Sequence, residues 1–124
     1  WEWEPEMSDE ERKAMDNEMQ NISLGIIASS GQARSLAFQA LAKARGGHID
    51  EAHALLEESK RTALKAHECQ THLLTREASG EHIEIDVLLV HAQDHLMTSM
   101  LAQELIEELI ILHETKADRR EEDI

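Results

Sequence analysis

Aromatic residues are almost missing from this chain of 124: Trp1, Trp3 and Phe38 are the whole supply, and there is no tyrosine. A core must then be built from Leu, Ile, Ala, Val and Met, which is the composition of packed helices rather than of a β-sandwich. Cys69 is the single cysteine, which excludes an intramolecular disulfide and a multi-cysteine metal knot and fits a reducing cytosol. Basic residues are scarce as well. Twelve Lys and Arg against 26 Asp and Glu give a formal charge of −14, the wrong sign for nucleic acid or an anionic membrane. No apolar run approaches the roughly 18 residues of a membrane span, and WEWEPEMSDEE lacks the basic start and apolar stretch of a signal peptide. A cytoplasmic protein is the expectation.

What is present is one domain's worth of chain, with charge concentrated at its ends. Residues 1–16 and 117–124 hold 11 acidic and 4 basic residues, a net of −7 (4 minus 11). The reading is an acidic, unstructured leader over 1–16, a folded domain over 17–117 and a charged tail over 118–124. Trp1, Trp3 and Pro5 read as foreign to the fold.

Punctuation divides the central part into three. The lone proline is Pro5, and after Gly31 the glycines fall at Gly46, Gly47 and Gly80, so three helices of roughly 28–33 residues, about 45 Å each, are expected. In the first, Ile22, Ile26, Ile27, Leu36, Ala40 and Leu41 recur at helical spacing and Gly46 offers a left-handed stop. Gly25 and Gly31 inside it mark a close helix approach or a bend. The second, about Ile49 to Ala78, takes its apolar positions from Ala52, Leu55, Leu56, Ala63, Leu64, Cys69, Leu73 and Leu74 and stops at Ser79-Gly80. The third, about Ile83 to Lys116, is the most apolar, and a strand over 83–90 is its minor alternative because IEIDV alternates. Short loops make an antiparallel up-down-up unit the simplest all-α arrangement. The apolar residues of the third helix cover more of its circumference than two neighbours would bury, which predicts a symmetric oligomer through that helix.

Within this apolar helix lies His91-Ala92-Gln93-Asp94-His95. His91, Asp94 and His95 share one side of a helix, with Thr98 a turn further on. Val87, His91, Asp94, Thr98, Leu101 and Leu105 follow a heptad-like 4-3 spacing, so a polar layer interrupts an apolar seam. Three readings fit: a register device, a histidine that accepts a phosphoryl group with its other nitrogen oriented by a neighbour, or a metal-binding helical bundle in which His91, Asp94 and His95 hold Zn²⁺. Spacing alone does not choose among them.

The wording of three segments does. VLLVHAQDHLMTSMLAQELIEELIILHE resembles the third helix of the IIA components of lactose/cellobiose (N,N'-diacetylchitobiose) type bacterial sugar phosphotransferase systems, SSGQARSLAFQALAKARGG resembles their first helix, and AHECQTHLL their second. The similarity runs over about residues 17–116, nearer the chitobiose/cellobiose branch. It implies a homotrimer of three-helix subunits, a nine-helix bundle. It implies that His91 carries the phosphoryl group on Nε2, receiving it from the phosphocarrier protein HPr and passing it to a cysteine of the IIB component, for uptake of a β-linked disaccharide such as chitobiose or cellobiose through the membrane component IIC. It also implies that Asp94 points to the threefold axis and binds a divalent metal ion, taken to be Mg²⁺, shared among the subunits; converging carboxylates would otherwise repel one another.

His95, Gln93 and Thr98 are candidates to orient His91 or hold phosphate oxygens. Met97 and Met100 suit an adaptable docking surface, Arg34 could bring charge near the site, and His67 and Glu68 could approach it if the second helix packs beside the third. His48, His53, His72, His82 and His113 read as surface or capping residues, and Cys69 as a small buried apolar one.

Overall fold

The computed structural model describes residues 6–123. Three helices account for nearly all of them: α1 (Asp9–Arg45), α2 (Ile49–Ala78) and α3 (Val87–Glu122), with no strand among the described residues. None of the helices is long and apolar enough to cross a membrane.

Local signals explain the boundaries, including three that sequence reading places elsewhere. The leader contributes helix from Asp9 onward, eight residues before the expected start. The reason is a capping box: the Ser8 hydroxyl accepts from the Glu11 amide at 3.1 Å while Ser8 N donates to the Glu11 carboxylate at 3.2 Å, and Asp9, Glu10 and Glu11 suit the positive helix end. Trp1, Trp3 and Pro5 lie outside the described residues. At the other end α3 continues through most of the expected tail to Glu122, with Arg119 and Arg120 facing its negative terminus. The start of α3 moves the opposite way, from Ile83 to Val87, because the Asp86 carboxylate caps it by accepting from Leu89 N at 2.8 Å. Residues 81–86 carry neither helix nor strand.

The turns are tight. Gly46 ends α1 at φ −79° and Gly47, at φ +84°, takes the left-handed position expected of Gly46. Gly80 at φ +96° plays that part after α2. A Cβ added at Gly25 or Gly31 would meet nothing within 4 Å, so neither marks a close approach inside the subunit.

Polar links fix the helix directions. Glu18 near the start of α1 pairs with Arg76 near the end of α2, and Lys43 near the end of α1 pairs with Glu51 near the start of α2. His53 and Lys60 of α2 reach Glu114 and Glu107 of α3, and Gln70 accepts from Gln93. Thus α2 runs antiparallel to both neighbours, the up-down-up order, and α1 lies parallel to α3.

The core is made of small residues along α1. Ser23, Ile26, Ser30, Ala33, Ala37, Ala40 and Ala44 are all buried, a spacing of three and four that puts them on one face. They divide between two apolar clusters. One, next to the α1–α2 turn, joins Ala37, Ala40 and Ala44 to Ala52, Leu56, Ile106 and Ile110. The other joins Ile26 to Ala66, Leu73, Leu89, Ala92 and Leu96, with Cys69 packed half-buried against it. Between them the buried Ser59 hydroxyl donates to Ala33 O at 2.6 Å and accepts from Gln103 Nε2 at 2.9 Å, tying all three helices together.

Candidate functional site

Helical phase decides what each residue of the HAQDH motif can touch, because α3 presents three different environments within five residues. Ala92 points inward and is fully buried beside Ile26. Gln93 turns to the α2 side, where its Nε2 donates to Gln70 Oε1 at 2.6 Å. His91 and His95, one turn apart, lie on the other flank, which faces α1; His91 is exposed and His95 half-buried. Asp94 faces outward.

The two imidazoles meet directly. Nε2 of His91 and Nε2 of His95 are 3.1 Å apart, with ring centroids at 4.5 Å and planes at 80°. A hydrogen bond between two ring nitrogens requires one to carry the hydrogen and the other a lone pair. If His95 donates, Nε2 of His91 is unprotonated and its own hydrogen sits on Nδ1, which is the tautomer a nucleophilic Nε2 needs. The exposed flank lets a partner reach that nitrogen once His95 turns away.

Several expectations are corrected within the subunit. Gln93 is held by Gln70 on the opposite flank, so it does not orient His91; residues two apart on a helix do not face each other. The Thr98 hydroxyl donates to the Asp94 carbonyl at 2.7 Å, a local backbone bond rather than a contact to His91. Because α2 packs on the Gln93 flank, His67 and Glu68 do not reach the site. Arg34 stacks over Phe38, its guanidinium carbon 5.7 Å from the ring centroid. The two methionines divide: Met97 is exposed, whereas Met100 packs against the core.

The single-chain metal alternative fares no better: among the described residues no three His, Cys, Asp or Glu side chains come together as a potential metal site. Asp94 instead lies, exposed, on an outward stripe with Val87, Val90, Met97, Leu101, Leu105 and Leu112, each of which is more than half exposed. Asp94 and, two heptads on, Glu108 are carboxylates in that row of hydrocarbon.

Sequence reading missed Gln70 as the partner of Gln93. The signal was available, since Gln70 closes the AHECQ segment, but nothing in periodicity links it to a residue 23 positions on. It also missed the polar network that shapes the connector before α3. There Glu77 accepts from Ile83 N at 2.8 Å and pairs with His82 at 3.1 Å, and Arg76 bridges Glu18 and Glu81. The amide of Ile83, then His82, holds the Glu77 carboxyl below its ordinary range, and Arg76 does the same for Glu81.

A three-helix subunit with a histidine pair on an exposed flank of its last helix is the setting in which comparison with known proteins becomes informative. Residues 21–114 match the family model for the lactose/cellobiose specific IIA subunit of the phosphotransferase system, and the chain belongs to that family. It is 48% identical over 97 residues to the N,N'-diacetylchitobiose-specific EIIA component of Escherichia coli (strain K12), covering 78% of this chain and 84% of the relative. The crystal structure of the cellobiose-specific enzyme IIA from Bacillus anthracis superposes with a TM-score of 0.75 at 38% identity, over 91% of this chain and 95% of that one. A solution structure of the chitobiose IIA–HPr complex of the Escherichia coli phosphotransferase system gives a TM-score of 0.68 at 46% identity, over 78% of this chain and 94% of that one. The family resemblance of the HAQDH, GQARS and AHECQ segments therefore holds along the chain.

Proposed function

We propose that this chain is the phosphoryl carrier of a phosphoenolpyruvate-dependent sugar phosphotransferase system, with His91 Nε2 as the carrying atom. The observation that supports this most directly is the exposed His91 whose Nε2 meets His95 Nε2 at 3.1 Å. HPr delivers the group as a phosphohistidine. The lone pair of His91 Nε2 attacks phosphorus in line, a new N–P bond forms, and the electron pair of the old N–P bond returns to the donor's ring nitrogen. In the second step a thiolate of the IIB component attacks the same phosphorus, and the pair of the His91 N–P bond returns to Nε2. His95, released from its bond to His91, donates its Nε2 hydrogen to a phosphoryl oxygen. The substrate class of the system is a β-linked disaccharide such as chitobiose or cellobiose, consistent with the relatives.

The functional unit is a homotrimer built through the outward stripe of α3. Burying Val87, Val90, Met97, Leu101, Leu105 and Leu112 would contribute about 2 kcal/mol per side chain, which is ample for association. In that arrangement three Asp94 carboxylates meet. Their oxygen-only donor set suits a hard dication such as Mg²⁺, which would relieve their mutual repulsion.

Incubation with phosphoenolpyruvate, enzyme I and HPr is expected to add one acid-labile phosphoryl group per chain, read by intact mass. The same incubation of His91→Ala is expected to add none. An unmodified wild-type mass would sink the proposal.

A further inference from the structure

The two imidazoles of α3 also have the spacing of a chelate. Metal–nitrogen bonds of about 2.0–2.1 Å set two ligand nitrogens about 3.3 Å apart at a tetrahedral ion, and about 2.9 Å apart at neighbouring corners of a square-planar one. Nε2 of His91 and Nε2 of His95 lie 3.1 Å apart, between those two spans. The rings stand four residues apart on one helix, so no loop has to close to bring them together. His91 is exposed and His95 half-buried, so water reaches an ion held there.

The donor atoms select the ion. A pair of neutral imidazole nitrogens suits borderline transition dications such as Zn²⁺, whereas hard Mg²⁺ favours oxygen. That separates the pair from the Asp94 stripe, which offers carboxylate oxygen and faces outward. His53 and His82 meet carboxylates instead of a second ring, Glu114 at 3.0 Å and Glu77 at 3.1 Å. Two protein ligands are one short of a resident zinc centre, and among the described residues no third His, Cys, Asp or Glu joins them. An ion held by this pair therefore exchanges readily and keeps water at its remaining positions.

We propose that His91 and His95 form a bidentate site for an exchangeable transition dication of the Zn²⁺ class, and that the ion and the phosphoryl group exclude each other at His91 Nε2. The exclusion, though not the binding, rests on the phosphoryl-carrier reading above. A lone pair given to a metal is not available to attack phosphorus. Binding requires both Nε2 atoms free of hydrogen, so the hydrogen between them passes through solvent to Nδ1 of its own ring and no net proton is lost. The pair is thus a brake on the carrier: free Zn²⁺ holds it uncharged, and removal of the ion restores it.

The test starts with the full chain, free of added histidines, dialysed against Zn²⁺ in a non-chelating buffer. One ion per chain is expected, with the Nε2 signals of both rings displaced in long-range ¹H–¹⁵N spectra. His91→Ala and His95→Ala are each expected to weaken binding about a hundredfold, since one imidazole is left where two acted together. Neither ring belongs to the buried core, so helical circular dichroism should persist, and one folded variant is enough for the comparison. Charging of the wild type by purified phospho-HPr is expected to fall in proportion to the Zn²⁺ bound and to recover when EDTA removes it. No bound Zn²⁺, or Zn²⁺ that is kept in both histidine variants and lost in Asp94→Asn, overturns the site. Charging that is unaffected at full occupancy overturns the exclusion. Wild-type protein that takes no phosphoryl group in metal-free buffer would instead sink the carrier reading and leave the dialysis result standing.

Discussion

The inner and outer faces of α3 are made of different residues and face different futures. Inside, Leu89, Ala92, Leu96, Ser99, Ile106 and Ile110 are buried against α1 and α2. Outside, Val87, Val90, Met97, Leu101, Leu105 and Leu112 are bare, from 56% to 86% exposed. The inner face uses two small residues, Ala92 and Ser99, because the small side chains of α1 let the helices come close. The outer face has no small apolar residue among those six. Both faces are otherwise built of large aliphatic side chains, so exposure rather than hydrophobicity separates the face that packs against α1 and α2 from the face left bare.

Breaking the outer face is expected to have the largest effect. Leu101→Asp with Leu105→Asp should convert a trimer to monomers by analytical ultracentrifugation while leaving far-UV circular dichroism intact, since neither side chain supports the subunit core. If the wild type sediments as a monomer at every concentration, the contrast between the faces loses its meaning. The inner face is expected to answer in stability instead. Leu96, 2% exposed, should cost about 2–5 kcal/mol when replaced by Ala, measured by urea denaturation of the monomeric background just described so that association does not contribute. The smallest effect belongs to neither face. Glu77 and Glu81, in and next to the connector, have carboxyls held below the ordinary value of 4.5. Their contribution to stability is therefore present above about pH 4.5 and lost as pH falls through the lower folded values. Glu77→Gln with Glu81→Gln should flatten the decline of the urea midpoint between about pH 5 and about pH 3. Both groups are exposed, so the change should be small.

Much of this was legible in the sequence, and the exceptions have physical causes. Bounds of α2 follow directly from Gly47 and Gly80 on either side. Helix ends set by side chains rather than by glycine were harder. The Ser8–Glu11 box lies in a stretch whose charge reads as solvated tail, and the Asp86 cap lies inside an alternating run that hides it. The excess apolar surface of α3 was visible from periodicity, but the identity of the inner face was not. Ser23, Ser30, Ser59 and Ser99 are buried, and hydroxyl residues do not register in a hydrophobic pattern even where close packing selects them for size. At the site, spacing put His91, Asp94 and His95 on one side of the helix. The structure separates them further: 3.1 Å joins the histidines, while Asp94 looks outward. That division depends on where α1 and α2 pack, which helical phase alone does not reveal.

The contact between the two imidazoles has a consequence for the order of events. A nitrogen whose lone pair already holds a neighbour's hydrogen cannot receive phosphorus until that hydrogen leaves. If the proposed transfer runs through His91 with His95 as the donor of that bond, His95 must rotate away first, and the arriving phosphoryl oxygens are what its freed N–H then greets. On that reading arrival and release become one exchange of partners, and His91 would give up its neighbour only to a group that offers an equivalent bond in return.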